Sequence, residues 1–325
     1  MTAETARAPR RLLPRLAASR WIWSFVGAAA VWIATIAFTH GQGATEILTS
    51  ALTFSAFFVI VGIGQMFVIT AGPGNIDLSI PANIALSGAL AMMVMAGADT
   101  MIPLGVAAAI GCGVLVGCLN YALIRVLAIP PIIATLSASF FVQSVAIAYG
   151  RGLKIKPPPG FSAFTTGQVM GVPILAACIV VLAVVMAVVL HRTLYGRAVS
   201  AIGQNPRAAE LAGLSVGRTR FLTYVLSAAL AGLCGALLAG FSGGASLNMG
   251  EEYLLASIAV VVIGGSSVAG GASNVPGIWG AALFLYLVVT MLNTFGVGAG
   301  IRLVLTGVII IAVITLAGGR PTGRR

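Results

Sequence analysis

Ten stretches of the chain are apolar over roughly fifteen to twenty-six residues, at about 21–39, 46–71, 78–97, 102–127, 131–149, 172–191, 221–241, 253–267, 276–293 and 301–317. A bilayer core of about 30 Å takes about 20 apolar residues per helical crossing, and a helix lets one segment satisfy its own backbone there. The expectation is an all-α, polytopic transmembrane helical bundle of about ten spans. Composition points the same way: 59% of the 325 residues are hydrophobic and 8% are charged, against about 25% charged in a typical soluble domain.

A net charge of +11 would suggest a polyanionic partner in a soluble protein. The positions of the charges argue for topology instead. Arg7, Arg10, Arg11, Arg15 and Arg20 precede the first apolar run; Arg192, Arg197, Arg207, Arg218 and Arg220 share one central loop; Arg320, Arg324 and Arg325 end the chain. An even number of spans puts both termini and that loop on one side, which the positive-inside rule makes cytoplasmic. With Arg125, 14 of the 18 basic residues are then inside, leaving Arg151, Lys154, Lys156 and Arg302 outside. Nine or eleven spans would strand one arginine-rich tail. No aromatic or helix-turn-helix pattern accompanies the arginines, so nucleic acid is not a partner on this reading. The implied layout is a basic cytoplasmic tail at 1–20, a transmembrane domain at 21–318 with a cytoplasmic loop at about 192–220, and a short cytoplasmic tail at 319–325. The first run, Trp21 to Phe38, is too long for a signal-peptide core and reads as a retained span.

The four cysteines (Cys112, Cys118, Cys178, Cys234) lie in apolar runs without metal-ligand spacing and read as packing residues, so no metal site is expected. His40 and His191 sit at span ends. The only lysines are Lys154 and Lys156, and no phosphate-binding loop, HExxH, GxSxG or paired-carboxylate motif is present. Catalysis by this chain is unsupported, no catalytic residue is assigned, and no cofactor is expected on it.

Small residues in the spans, such as Gly111, Gly113 and Gly117 or Ala228, Gly232, Gly235 and Ala239, form faces that let helices approach closely. Two glycine-rich segments are different, Thr70-Ala-Gly-Pro-Gly-Asn-Ile-Asp-Leu-Ser79 and Gly264-Gly-Ser-Ser-Val-Ala-Gly-Gly-Ala-Ser273. Each interrupts an apolar run, after spans two and eight, and paired interruptions of this kind point to a transport site. Asp77 in the first is costly at membrane depth, roughly 2.5–3.5 kcal/mol on insertion scales. Two roles fit it. With Gln65, Asn75, Ser79 and Asn83 it lines a polar path for a hydroxylated solute; alternatively it caps a helix beginning at Leu78. The segment from Gly150 to Gly171, with Pro157, Pro158 and Pro159, reads as an extended external loop, either an ordinary connection or a contact for a soluble partner.

In the central loop, Asn205 suits an N-cap, Pro206 the first helical position, Arg207 to Ala212 a short helix and Gly213 its end. Ser215 is placed to cap the next span. A defined helix at the cytoplasmic surface serves as a docking element or as a structured connector.

These residues resemble the permease subunits of ribose, xylose, arabinose and galactoside-type ABC importers, which are related more distantly to branched-chain amino acid permeases. The resemblance covers about 45 to 318. It rests on Gly64-Gln-Met-Phe-Val-Ile-Thr70 with Asn75-Ile-Asp-Leu-Ser79, on Pro130-Pro-Ile-Ile-Ala-Thr-Leu136 with Tyr149-Gly-Arg-Gly152, and on Tyr195-Gly-Arg197 with Ala201-Ile-Gly-Gln-Asn205. Ala208-Ala-Glu-Leu-Ala-Gly213 and Ile258-Ala-Val-Val-Val-Ile-Gly-Gly-Ser-Ser267 with Gly270-Gly271 complete it. The family pattern has paired glycines before Ile-Asp-Leu-Ser and Val-Gly-Ser after it; this chain has Gly74-Asn75 and Ile80-Pro81-Ala82, a departure that bears on the solute. The resemblance implies a bacterial cytoplasmic (inner) membrane location, a second permease copy or paralogue, an external (periplasmic) solute-binding protein, and a cytoplasmic ABC ATPase that carries the ATP. That ATPase would engage Gly196, Arg197, Gly203, Asn205, Pro206, Ala208, Ala209 and Gly213. The expected function is import of a monosaccharide or similar polyol by alternating access; the alternative from another class is an ion-coupled secondary transporter using Asp77.

Overall fold

The computed structural model of the protein describes residues 20–152, 154–296 and 298–317. Arg7, Arg10, Arg11, Arg15, Arg320, Arg324 and Arg325, on which the two basic tails rest, lie outside the described residues. The described residues form an all-α bundle of thirteen α-helices with one small hairpin. The first five helices are α1 (Arg20–Phe38), α2 (Ala44–Thr70), α3 (Ile80–Met95), α4 (Ile102–Val126) and α5 (Pro131–Gly150). Then come α6 (Pro159–Thr166), the strands β1 (Gln168–Val169) and β2 (Val172–Pro173), α7 (Ile174–Arg192), α8 (Leu194–Gln204) and α9 (Pro206–Leu211). The chain continues through α10 (Val216–Phe241), α11 (Tyr253–Ile263), α12 (Val275–Thr294) and α13 (Ala299–Ala317).

Each of the ten apolar runs carries one helix, but the helices are unequal. Seven of them (α1, α2, α4, α5, α7, α10 and α12) are long and apolar enough to cross a bilayer, while α3 and α11 are shorter apolar helices of 16 and 11 residues. At 1.5 Å per residue α11 rises only about 16 Å. The run 253–267 is therefore not one continuous helix, because Gly264 and Gly265 end it and the chain turns.

Helix α2 is the axis of the bundle. In its most apolar stretch 83% of residues are buried, against 17% for α1 and 28% for α4, α5 and α7. Phe57, Ile60, Ile63, Met66 and Phe67 of α2 are all within the protein core, enclosed by α7, α10, α11 and α12. The outer helices turn their remaining apolar side chains outward, as Phe140 and Phe141 of α5 and Val181 and Val184 of α7 do.

Helix α10 packs on α3 and α4 through backbone. A Cβ on Gly117 would lie 2.6 Å from Val225 Cα, and one on Gly113 or Gly232 would overlap the Ala228 or the Ala109 carbonyl. Gly235 meets the Ile84 carbonyl in the same way. Gly111, grouped with Gly113 and Gly117 by sequence, faces open space and is not part of the seam. Of the four cysteines, Cys234 packs in the core, Cys112 and Cys118 are half-buried and Cys178 is exposed.

Contacts sort the helix ends into two layers. At one layer Ser24 Oγ donates to the Gly277 carbonyl (3.4 Å), Gly271 N to the Thr70 carbonyl (3.0 Å), Leu78 N to Thr135 Oγ1 (3.1 Å) and Tyr121 Oη to the Gly217 carbonyl (2.7 Å). At the other, Gly160 N donates to Asp99 Oδ1 (2.8 Å), Gln143 Nε2 to the Leu247 carbonyl (3.4 Å), and Phe38 meets Phe295 edge to face. From α1 to α5, and again through α7, α10, α11 and α12, the chain passes alternately between these layers.

The segment 150–171 differs from the expected extended loop. Pro158 is extended (φ −55°, ψ 145°), but Pro159 opens α6, since proline loses nothing at a first helical position. Phe161 of α6 is buried in the core, and β1 pairs with β2 in a two-residue ladder, so this segment is folded onto the bundle.

Overpacking a backbone seam costs about 1–3 kcal/mol. Gly113→Ala is expected to lower the thermal midpoint of the protein purified in detergent by that order, whereas Gly111→Ala should leave it unchanged or raise it. Equal midpoints for the two variants would refute the seam.

Candidate functional site: a buried carboxylate and a backbone junction

Helix α2 ends where Gly72 and Gly74 take φ values of 129° and 77°, which only glycine adopts without strain. The chain then runs inward without regular structure to Ser79, and α3 resumes with Pro81 in its first turn. In that interval Asp77 is 1% exposed. Its Oδ1 accepts from Ser79 N (3.0 Å), Ser79 Oγ (2.6 Å) and Asn120 Nδ2 (3.3 Å), and its Oδ2 from Ser227 Oγ (3.0 Å). Gln65 Oε1 takes the Asp77 amide N–H (3.2 Å). One carboxylate thus ties the start of α3 to α4 and α10, and its backbone to α2.

Four of the five path residues expected from sequence belong to this segment or its partners. Gln65, Asp77 and Ser79 are in the carboxylate network itself. Asn75 stands just ahead of it, with Nδ2 on the Gly72 carbonyl (3.1 Å) and Oδ1 accepting from Tyr224 Oη (3.2 Å). Asn83 is one turn further along α3, bonded to the Ala228 carbonyl (2.8 Å) and to Ser87 Oγ (2.9 Å), and does not touch Asp77. The expected capping role takes a modified form. α3 begins at Ile80, not Leu78, and Asp77 holds the Ser79 amide one residue ahead of the helix while the Ser79 side chain makes no capping bond.

Sequence reasoning missed Asn120, Ser227, Tyr224 and Thr135. Thr135 Oγ1 accepts Leu78 N and donates to the Ile76 carbonyl (3.1 Å), which fastens the same segment to α5. The signal available was a polar residue at mid-span, strongest for Asn120 between Leu119 and Tyr121. Serine and threonine close on their own helix so readily that they give little such signal.

The second interruption is equally tight. Gly270 and Gly271 have φ of 87° and 75°, Ser267 N donates to the Ala272 carbonyl (2.8 Å), and Asn274 caps α12 by accepting from Gly277 N (3.3 Å). It packs directly on the first interruption: a Cβ on Gly270 would stand 2.7 Å from Gly72 Cα.

Between them lies the central loop. Sequence anticipated its short helix, and α9 begins at Pro206 with Asn205 Oδ1 accepting from Ala208 N (3.0 Å) and ends before Gly213 (φ 86°). Sequence did not anticipate α8, an eleven-residue helix capped by Thr193, whose hydroxyl accepts from Gly196 N. Ser215 occupies the N-cap position of α10 without a side-chain cap bond. Tyr195 anchors α8 by stacking on Phe67 of α2 at 5.8 Å, and burial pushes its phenol above the usual range, so it stays neutral.

The eight loop residues singled out by sequence divide by face. Arg197, Asn205, Ala208 and Gly213 are exposed and Pro206 is partly so; Gly196, Gly203 and Ala209 are buried. Gly203 is wedged at the meeting of the two interruptions, where a Cβ would overlap both the Thr70 carbonyl and the Gly271 amide. Gln204 Nε2 reaches the Gly271 carbonyl (3.5 Å). Three segments far apart in sequence therefore share one backbone junction, and one of them continues to Asp77.

Comparison with known proteins gives the family. Residues 47–314 match the model of the branched-chain amino acid transport system / permease component family. The ribose import permease of Bacillus subtilis (strain 168) is 35% identical over 261 residues, covering 79% of this chain and 80% of that protein. The ribose import permease of Escherichia coli (strain K12) is 30% identical over 262 residues, covering 78% and 80%. The autoinducer 2 import system permease of Photorhabdus temperata is 25% identical over 303 residues, covering 91% of each. No solved structure matches the chain.

Replacing Asp77 by alanine strands the Ser79, Asn120 and Ser227 donors in the interior, at about 1–3 kcal/mol each. The Asp77→Ala protein should unfold in detergent well below wild type, and Asp77→Asn, which keeps one acceptor, should fall between the two. A wild-type midpoint for the alanine variant would contradict the network.

Proposed function

The chain belongs to the permease-component family, as a multi-pass protein of the bacterial cytoplasmic membrane, and from that premise we propose that it imports a monosaccharide or similar polyhydroxylated solute as the membrane-spanning subunit of an ATP-driven transporter. The sugar class rests on the functions of its relatives, among them two ribose import permeases. On this reading the chain crosses the membrane ten times with both termini cytoplasmic. The alternation of helix ends between two layers supports that topology, as does the sharing of one layer by the start of α1 and the α8–α10 region.

The observation that carries the mechanism is the junction at Gly203. A partner ATPase, holding the ATP, docks on the outward face of α8 and α9, where Arg197, Asn205, Ala208 and Gly213 are exposed and Leu194 and Leu211 are 80% and 75% exposed. Large apolar side chains on a surface outside the bilayer suit a protein partner. A shift of α8 then bears on Thr70 and Gly271 through backbone with no side chain between, so it reaches both interruptions together. Moving the segment 71–79 would break and remake the Asp77 network, exposing Gln65, Asn75, Asp77, Ser79 and Asn83 to a midplane path shared with a second permease copy or paralogue. Solute enters from a periplasmic solute-binding protein, and alternating access follows because ATP and the loaded binding protein favour different states.

An ion-coupled carrier centred on Asp77 fits less well. The carboxylate is ringed by donors from Ser79, Asn120 and Ser227, whereas a cation site needs converging acceptors.

The complex co-purified with this chain, reconstituted in proteoliposomes with its binding protein, should hydrolyse ATP faster with one sugar of a pentose and hexose panel. Uptake that persists without any ATPase and collapses with the ion gradient would overturn the proposal. Gly203→Ala, in complexes of normal subunit composition, is expected to cut uptake by at least about tenfold, since the added methyl forces the junction apart; wild-type uptake would remove the junction from the mechanism.

A further inference from the structure

Two fully buried side-chain atoms beside Asp77 have no hydrogen-bond partner: Gln65 Nε2, a donor, and Asn120 Oδ1, an acceptor. Turning either amide over does not relieve them. Gln65 needs its oxygen on the Asp77 amide N–H (3.2 Å), and Asn120 needs its nitrogen on Asp77 Oδ1 (3.3 Å) and Ser79 Oγ (2.8 Å). A flip would set donor against donor in the first case and oxygen against a carboxylate in the second. The unpartnered atoms on Tyr195, Arg220 and Trp279 are of a different kind, since no two of them share a bonding partner, whereas Gln65 and Asn120 are both bonded to Asp77.

Protein interiors leave few such atoms, and a bound water, ion or ligand is among the explanations for one. The chemistry that fits here is narrow. A metal cation is repelled by the Gln65 donor and by the donors already on the carboxylate; an ammonium leaves Gln65 Nε2 unmet; an anion is repelled by Asp77. A hydroxyl group both accepts and donates, and so can satisfy the Gln65 donor, held on the Asp77 amide, and the Asn120 acceptor, held on the Asp77 carboxylate. Resting on the path reading above, we infer that Gln65 and Asn120 recognise hydroxyl groups of the solute, and that Asn120, on α4 and outside the Asn75 to Ser79 segment, is a specificity-determining residue. Water offers the same chemistry, and the experiment separates the two sources.

The complete transporter, with its ATPase and binding protein, is assayed in proteoliposomes with D-ribose, D-xylose, L-arabinose and D-galactose. The sugar that wild type takes up is then compared with its singly deoxygenated analogues, each presented on saturated binding protein. Selection by the binding protein is common to every permease variant and cancels from the parent-to-analogue ratio. Asn120→Ala and Gln65→Met are each expected to shrink that ratio about tenfold for at least one hydroxyl position, the equivalent of about 1.4 kcal/mol of discrimination. Ratios unchanged at every position, with or without a drop in thermal midpoint, would assign the two atoms to resident water and overturn the inference while leaving the importer intact. Should Asn120→Ala fail to assemble, Asn120→Ser and Gln65→Met carry the same comparison. Uptake of no sugar by wild type would instead defeat the proposed function, and the inference with it.

Discussion

Backbone that leaves a helix inside a bilayer has no water to turn to, so its N–H and C=O groups must be met by the protein. Most of what distinguishes this bundle follows from the two places where that happens. After α2 the amides of Asp77, Leu78 and Ser79 are taken by Gln65, Thr135 and Asp77. After α11 the Gly271 amide goes to the Thr70 carbonyl at the end of α2, so one interruption helps to satisfy the other. Pro73, Gly74, Val268 and Ala269 at the turns are exposed, whereas Asn75, Asp77, Ser79, Ser266 and Gly271 are buried. Burying that inner part brings α4, α5, α8 and α10 to the end of α2.

Enclosure by backbone also makes the region a single mechanical unit. Side chains can yield by changing rotamer, whereas the contacts among Gly72, Gly203 and Gly270 have no rotamer to change. Whatever displaces α8 displaces its neighbours or separates from them. The polar knot at Asp77 behaves differently, since each of its bonds is individually replaceable by a hydroxyl or by water. A stiff junction beside a network whose partners can be exchanged is a sound arrangement for converting a push at the surface into a rearrangement within.

Much of this was legible in the sequence. Hydropathy located all ten helical runs because lipid and core make the same demand on side chains, and the short helix α9 was readable from Asn205, Pro206 and Gly213 because capping is local chemistry. Asp77 stood out as an acid where acids are costly. The partners of Asp77 did not, because Asn120 and Ser227 lie 43 and 150 residues away and local pattern carries no tertiary pairing. Gly203 was read as a docking residue and turned out to face inward, since a glycine on an amphipathic helix says nothing about which side needs the close approach. The run 253–267 kept its apolar composition through Gly264 and Gly265, which concealed the end of α11. The triple proline suggested an extended strap, and the ability of Pro159 to begin a helix decided otherwise.

The position of α2 carries a consequence for biogenesis. A nascent chain emerges from its amino end, so α2 enters the membrane long before α10, α11 and α12, which later enclose it. Its apolar side chains can wait in lipid at little expense, but Asp77 cannot settle until Ser227 has been synthesised 150 residues afterwards. The first half of the chain is thus held in an unfinished, polar and partly unsatisfied form until the second half arrives. A ribosome that stops early leaves a product whose defect is a carboxylate with Oδ2 unmet for want of Ser227, a mark by which quality-control proteases could tell a truncated chain from a complete one.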